Sequence, residues 1–329
     1  MMDIHFIVIG KLTREFLLPA VGEPRLDAAG GSLLYAAGGL GVWETGVGLV
    51  GRVGDDYPRA WLNEVKKRGF DTSGIRIQPQ ALDVREFIAY NEAFEASRIN
   101  PVAHFARREM TVPKSLLGYQ AERKADEALR LTVRDIPDDY LTARAAYLCP
   151  MELVTQTQLI AGLKRGAVHT FILDPAPAAM TPASRRELPA LLNGVTAFLP
   201  SEEEIRNLFQ AETHDLWEMA EAVALYGCEY VVIKRGAQGQ LLYDAAAKRR
   251  WEIPAYPSRV EDVTGAGDAF GGGFMAGFCK DYDALEGVLR GNVSASLKLE
   301  GLGAFHPLDV LPGLAEARLE ALRDMVRRV

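Results

Sequence analysis

The chain has 329 residues, 48% of them hydrophobic and 25% charged, proportions that exclude a disordered, collagenous or disulfide-stapled protein and fit a globular chain with a large core. Its 37 Lys and Arg against 44 Asp and Glu give a formal net charge of −7, which argues against a nucleic-acid partner. Cys149, Cys228 and Cys279 are widely spaced and supply neither a disulfide framework nor a CxxC metal knuckle, so a reducing, cytoplasmic setting is expected. The opening residues, MMDIHFIVIGKL, carry no basic leader and no small-residue cleavage site. No apolar run reaches the roughly 18 residues of a membrane span, so no membrane partner is expected.

Residues 4–9 read as a buried strand, the small-residue segment 33–43 as a helix, and 45–53 (TGVGLVGRV) as a second strand. Residues 56–68 place Trp61, Leu62 and Val65 on one helical face. Two stretches, 11–30 and 83–114, interrupt the rhythm, and the second contains the alternating run 85–90; together they suggest a small β-lid. Segment 114–131 (KSLLGYQAERKADEALRL) has no evident place. Short apolar runs at 145–148, 170–173, 197–199 and 230–233 lie beside helix-like stretches such as 156–165 and 202–209. Strands alternating with helices imply an α/β fold whose mostly parallel sheet is covered on both faces. Residues 268–278 suit a helix, and 311–329 read as a terminal amphipathic helix.

The stretch DVTGAGDAFGGGF (residues 262–274) carries the most chemistry. Gly265, Ala266 and Gly267 can bring backbone N–H groups together at a helix N-terminus, a cradle for phosphate or a developing oxyanion. Asp268 stands at the same terminus, where a carboxylate can take a proton from an alcohol. Cradle and base side by side are what phosphoryl transfer to a hydroxyl requires. The plain alternative is a glycine-rich turn capped by an aspartate. GxGxxG fails because Phe270 holds its last place, and no Walker A loop occurs in the chain. The five histidines show no paired ligand spacing. Lys234 and Arg235 precede a GxxG turn and are candidates for nucleotide phosphates, with a solvated strand end as the plain alternative. Arg98, Arg107 and Arg108 are candidates for clamping a substrate phosphate, against the plainer reading of a solvent-facing lid edge or a dimer contact.

DVTGAGDAFGGGF resembles the C-terminal signature, DTTGAGDxF, of the PfkB or ribokinase-like carbohydrate kinases. Further matches follow in order: Gly30-Gly31 before a small-residue helix, LVGRVGDD at 49–56, LDPAP at 173–177, LPSEEE at 199–204, VIKRGAQG at 232–239 and GNVSASLKLEGLGA at 291–304. The resemblance implies a three-layer α/β/α sandwich spanning 1–329, with lid segments 11–30 and 83–114 inserted in the core. It implies ATP and Mg²⁺, and transfer of the γ-phosphate to a hydroxymethyl group of a small sugar or sugar-like substrate. Carried over, Asp268 is the general base and Gly265, Ala266 and Gly267 form the anion hole. Ser201, Glu204, Lys234, Gly236, Gly239 and Asn292 fall on the nucleotide side, with Glu204 organising Mg²⁺ through water. Asp262 and Thr264 match positions that help bind a monovalent cation such as K⁺. Gly30 and Gly31 face the acceptor, since no Cβ intervenes.

Three departures stand out. Ser201 replaces the asparagine of the family's NxxE motif, Glu15 stands where a substrate-gripping aspartate is expected, and Tyr35 stands where an asparagine is expected. The nucleotide half is retained and the acceptor half has diverged. A nucleoside kinase of the same family is the alternative. A non-catalytic sensor is disfavoured because a binding module has no use for a base at Asp268. Pairing of lid strands into a homodimer is expected as well.

Overall fold

Phe6, Ile7, Val8 and Ile9 are all fully buried, so strand β1 (Phe6–Ile9) is covered on both faces and belongs inside a sheet, not at its edge. The structure, a computed structural model, describes residues 3–121, 126–210 and 212–329. After β1 come β2 (Thr13–Leu18), β3 (Arg25–Gly30), helix α1 (Ser32–Gly41), β4 (Val47–Val53), α2 (Arg59–Lys67) and β5 (Asp71–Ile77). β6 (Arg85–Tyr90), β7 (Ala96–Ser97) and α3 (Pro101–Arg107) follow. The alternation resumes with β8 (Ala145–Leu148), α4 (Leu153–Leu163), β9 (Thr170–Leu173), α5 (Leu188–Leu192), β10 (Ala197–Phe198), α6 (Glu202–Phe209), α7 (Leu216–Ala224) and β11 (Tyr230–Lys234). The last elements are β12 (Gln240–Asp244), β13 (Arg249–Ile253), the long helices α8 (Ala266–Asp281) and α9 (Ala284–Leu299), α10 (Leu314–Arg323) and β14 (Arg327–Arg328).

The large sheet has ten strands in the order β14-β13-β12-β11-β10-β9-β8-β1-β4-β5. Every pair from β11 to β5 is parallel, and β11 to β14 extend the sheet antiparallel. One face buries Leu33, Phe270, Phe274, Val293 and Leu319 from α1, α8, α9 and α10. The other buries Leu159, Leu191, Ile205, Leu208 and Met219 from α4 to α7. This is the expected three-layer α/β/α arrangement, and the carboxyl ends of its parallel strands define one edge where a site can form. The three cysteines are free and buried. Among the described residues no helix is long and apolar enough to cross a membrane.

The two interrupting segments meet in a second sheet, β3-β2-β6-β7, with its own core of Phe16, Leu18, Phe87, Phe105 and Leu116. Residues 83–114 are not all strand, however. Asn100 accepts the Ala103 N–H at 3.3 Å and Pro101 sits at the first helical position, so α3 forms and presses Phe105 onto the sheet. Segment 114–131, which has no evident place in the sequence, holds two short 3-10 turns, Lys114–Leu116 and Glu127–Leu129; its residues 122–125 lie outside the described residues. Arginines pin it on both sides. Arg85 donates to the Ser115 and Leu117 carbonyls at 2.8 and 2.9 Å, and Arg52 to the Ala128 carbonyl at 3.2 Å. The terminal helix is shorter than 311–329. It starts only after Pro312 and Gly313, and beyond Asp324 the chain turns to pair β14 with β13.

Candidate active site

α8 opens at Gly265, whose φ of 71° is left-handed and whose missing Cβ would lie 2.0 Å from Tyr35 Cγ, so only glycine fits. Ala266, Gly267 and Asp268 form the first turn, where backbone N–H groups have no acceptor within the helix and the helix dipole adds positive potential. Gly267 is exposed and Asp268 partly so. Burial, followed by the Asp174 carboxylate, pushes the Asp268 carboxyl up to about 8, with Lys234 opposing. Such a group holds its proton near neutrality and releases it just above, the range useful for base catalysis.

Lys234 ends β11 with its Nζ 2.5 Å from Asp174 Oδ2, an oxygen that also accepts the Tyr147 hydroxyl at 3.0 Å. A Cβ on Gly267 would lie only 3.6 Å from that ammonium, so the positive charge stands beside the amide cradle. Gly236 and Gly239, at φ 53° and 84°, make the following turn. Ser201 caps α6: its hydroxyl accepts the Glu204 N–H at 3.2 Å while Glu204 Oε2 accepts the Ser201 N–H at 2.7 Å. The serine hydroxyl thus serves as the cap, and the Ser201 backbone N–H occupies one carboxylate oxygen of Glu204. Asn292 departs from expectation. Its amide donates to Gln240 Oε1 and the Pro254 carbonyl at 2.7 and 2.8 Å and accepts the Tyr256 N–H at 2.9 Å, so it fixes a wall from within and offers no polar atom to a nucleotide.

On the acceptor side Gly31 (φ 97°) caps α1, and a Cβ on Gly30 would fall 1.9 Å from the Glu15 carboxyl carbon. Glu15 and Tyr35 do meet the glycine pair, but from behind it. Glu15 is 2% and Tyr35 1% exposed. Glu15 Oε1 accepts the Gly31 N–H at 2.9 Å, and its Oε2 accepts the Tyr35 hydroxyl at 2.7 Å and Arg25 at 3.4 Å. Burial raises the carboxyl of Glu15 in spite of these partners. A carboxylate so engaged braces the glycines and does not itself grip a sugar. The arginine cluster does not converge either: Arg98 pairs with Glu86 at 3.3 Å, Arg107 is exposed, and Arg108 donates to the Pro19 carbonyl at 2.5 Å.

The monovalent cation does not fit. Asp262 Oδ1 accepts the Thr264 N–H at 2.9 Å, Asp262 Oδ2 accepts the Lys298 ammonium at 2.9 Å, and the Thr264 hydroxyl donates to Tyr90 at 3.1 Å. A positive charge already fills the place. No group of three or more His, Cys, Asp or Glu that could hold a metal occurs among the described residues.

A cavity of about 490 Å³ opens between the small sheet, the start of α4 and residues 119–121 and 126–131, lined among others by Lys11, Glu86, Tyr119, Leu129 and Met151. Asp268 does not line it, but Glu86 does, and its charge acts on Asp268. The volume is that of a small-molecule site.

The profile of pfkB family carbohydrate kinases matches residues 28–310. The chain belongs to that family. A cytidine kinase of Thermococcus kodakarensis is 29% identical over 291 residues, covering 88% of this chain and 94% of its own. A ribokinase of Bacillus subtilis is 28% identical over 315 residues, covering 91% of this chain and 94% of its own. The solved structure of a protein described as a ribokinase II from E. coli, in complex with ATP and Mg²⁺, superposes with a TM-score of 0.72 at 18% identity, covering 97% of this chain and 99% of that one. The pfkB kinase is thus an ATP-dependent phosphotransferase whose acceptor is the hydroxyl of a small sugar-like substrate.

Two residues beside the candidate site escape a reading of the sequence. Tyr147 lies inside an apolar strand, AAYL, where it looks like core. Lys298 sits in the last turn of α9, where a lysine ordinarily serves as a solvated helix end. Only the spacing of Lys298 from the VEDVTG turn it reaches, across 36 positions of chain, is unusual, and that is invisible without the fold.

Proposed function

We propose that Asp268 is the general base, and that the first-turn amides of Gly265–Gly267 with the Lys234 ammonium form the cradle for the transferring phosphoryl group. The observation that carries this is the position of Lys234, whose charge stands against Gly267 and within electrostatic reach of Asp268. Asp268 takes the proton of the acceptor hydroxyl as that oxygen bonds to the γ-phosphorus and the bond to the leaving ADP oxygen breaks. The amides, already oriented, meet the charge that spreads over the phosphoryl oxygens. Mg²⁺, when bound, would supply further neutralisation of the phosphate charge, and Glu204, with one oxygen committed to its cap, is the residue that would hold it through water. Lys234 leaves Asp174 to meet the phosphates, while Tyr147 keeps that carboxylate partnered.

The acceptor lies against Gly30 and Gly31, beside the cavity that Lys11 and Thr13 line, with the small sheet as the lid that excludes water. A nucleoside acceptor is the second reading, favoured by the cavity's size and its apolar surfaces at Tyr119, Leu129 and Met151. The apolar face of the small sheet is filled from within the chain by Phe105 and Leu116, so the homodimer would pair through the edge strand β3. ADP release across free sugars, sugar phosphates and nucleosides identifies the acceptor. With that acceptor Asp268→Asn lowers kcat by about 10²–10⁴-fold and leaves MgATP affinity nearly unchanged. A variant retaining more than about a tenth of the rate removes Asp268 from its role.

A further inference from the structure

The side chains of Lys298 and Asp262 are 0% exposed. Lys298 Nζ lies 2.9 Å from Asp262 Oδ2, 3.0 Å from the Gly301 carbonyl and 3.3 Å from the Asp262 carbonyl. Among the described residues, three acceptors and no donor surround the nitrogen. Only the ammonium has three N–H groups to satisfy them, so the lysine is a buried cation. Burial weakens its hold on the proton and the Asp262 carboxylate strengthens it. The group sits at the C-terminal end of α9, where the helix dipole favours positive charge.

What this cation touches is the loop that carries the anion hole. Glu261 and Asp262 donate their N–H groups to the Leu299 carbonyl at 2.8 and 3.2 Å, Asp262 caps the Thr264 N–H, and Gly265 opens α8 directly afterwards. Lys298 also lies 5.5 Å from the centroid of the Tyr35 ring, the ring seated against Gly265. It therefore braces the loop on two sides, through the Asp262 carboxylate and through the aromatic face. It makes no contact with the cleft, so its effect on the reaction passes through the loop.

We propose that Lys298 is a built-in monovalent cation, a positioning residue whose ammonium sets the 262–265 loop and its amides so that the enzyme works without K⁺. An ammonium nitrogen and a potassium ion are of similar size and seek the same oxygen ligands; here the ion is tethered and permanently in place. The inference rests on the kinase reading, and binding separates the two. The wild-type chain is titrated with KCl at constant ionic strength against tetramethylammonium chloride, following MgATP affinity by calorimetry and the melting temperature. Neither is expected to change.

In Lys298→Ala, which vacates the space of the ammonium, MgATP Kd rises at least about tenfold in tetramethylammonium. K⁺, NH₄⁺ or methylammonium restores most of it. Lys298→Met, which fills the space without charge, stays weak in every salt. Ion-selective rescue is a response that a merely structural side chain does not give. A saturable response of the wild type to K⁺, a folded Lys298→Ala with unaltered affinity, or rescue that does not distinguish the cations overturns the proposal. Should the alanine variant not fold, the wild-type titration decides alone. A wild type that binds no MgATP sinks the kinase reading and this inference with it.

Discussion

At the scale of single residues, the base role proposed for Asp268 ties the response to pH to its carboxyl. Its affinity for the proton is raised to about 8 by burial and by Asp174, and a base works only when deprotonated. kcat/KM for the acceptor should therefore fall as pH drops below about 8, following one ionisation. The shift acts on stability in the opposite sense. The folded chain binds this proton more tightly than the unfolded chain, so the group's contribution declines as pH rises from the ordinary carboxylate range toward about 8. Asp268→Asn should then lack the activity step and show a shallower loss of melting temperature over the same window; a pH-rate profile and pH-dependent melting of both proteins check it. Gly265 and Asp268 are legible as candidates because the glycines and the carboxylate are adjacent in the chain and their chemistry is local. Glu15 and Tyr35 stand out in the sequence by position, but whether a side chain faces a ligand or braces the backbone behind it depends on burial that one sequence does not display. Lys298 gives no signal in the sequence for the same reason, its partner being supplied by the fold alone.

At the scale of elements, the apolar runs of β1, β8, β9 and β11 were legible because strands buried on both faces are continuously hydrophobic. The small sheet was legible only as an interruption. α3 hid inside it because seven residues are too few to display a helical period, and its Asn-Pro start is the one local signal. The small sheet has a core separate from those of the large sheet, and Phe105 is its contribution from α3. Phe105→Ala removes a buried ring, a loss typically of roughly 3–5 kcal/mol. Because that cluster is its own, the damage should stay local. Amide hydrogen exchange is expected to quicken in residues 13–30 and 85–97 and to remain slow in β1, β8 and β9; equal acceleration throughout would show one cooperative unit.

At the scale of the whole molecule, ten strands in one sheet leave β5 and β14 as its edges, while the small sheet adds β3 and β7. An open edge is a template for another chain, and β3 is the longer of the two in the small sheet. Light scattering at micromolar concentration should give a dimer mass, and Ala28→Pro on β3 should return the monomer; a monomeric wild type removes the pairing. The small sheet also fixes an order of events during synthesis. β2 pairs in parallel with β6, yet between them the chain must lay down α1, β4, α2 and β5 in the other layer system. Parallel partners from distant segments close slowly, because the entropy of the intervening loop is lost before any contact repays it. Phe16 and Leu18 therefore leave the ribosome long before Phe87 and Phe105 can cover them, and the nascent kinase carries a bare apolar strand face for that interval, a natural landing place for a chaperone.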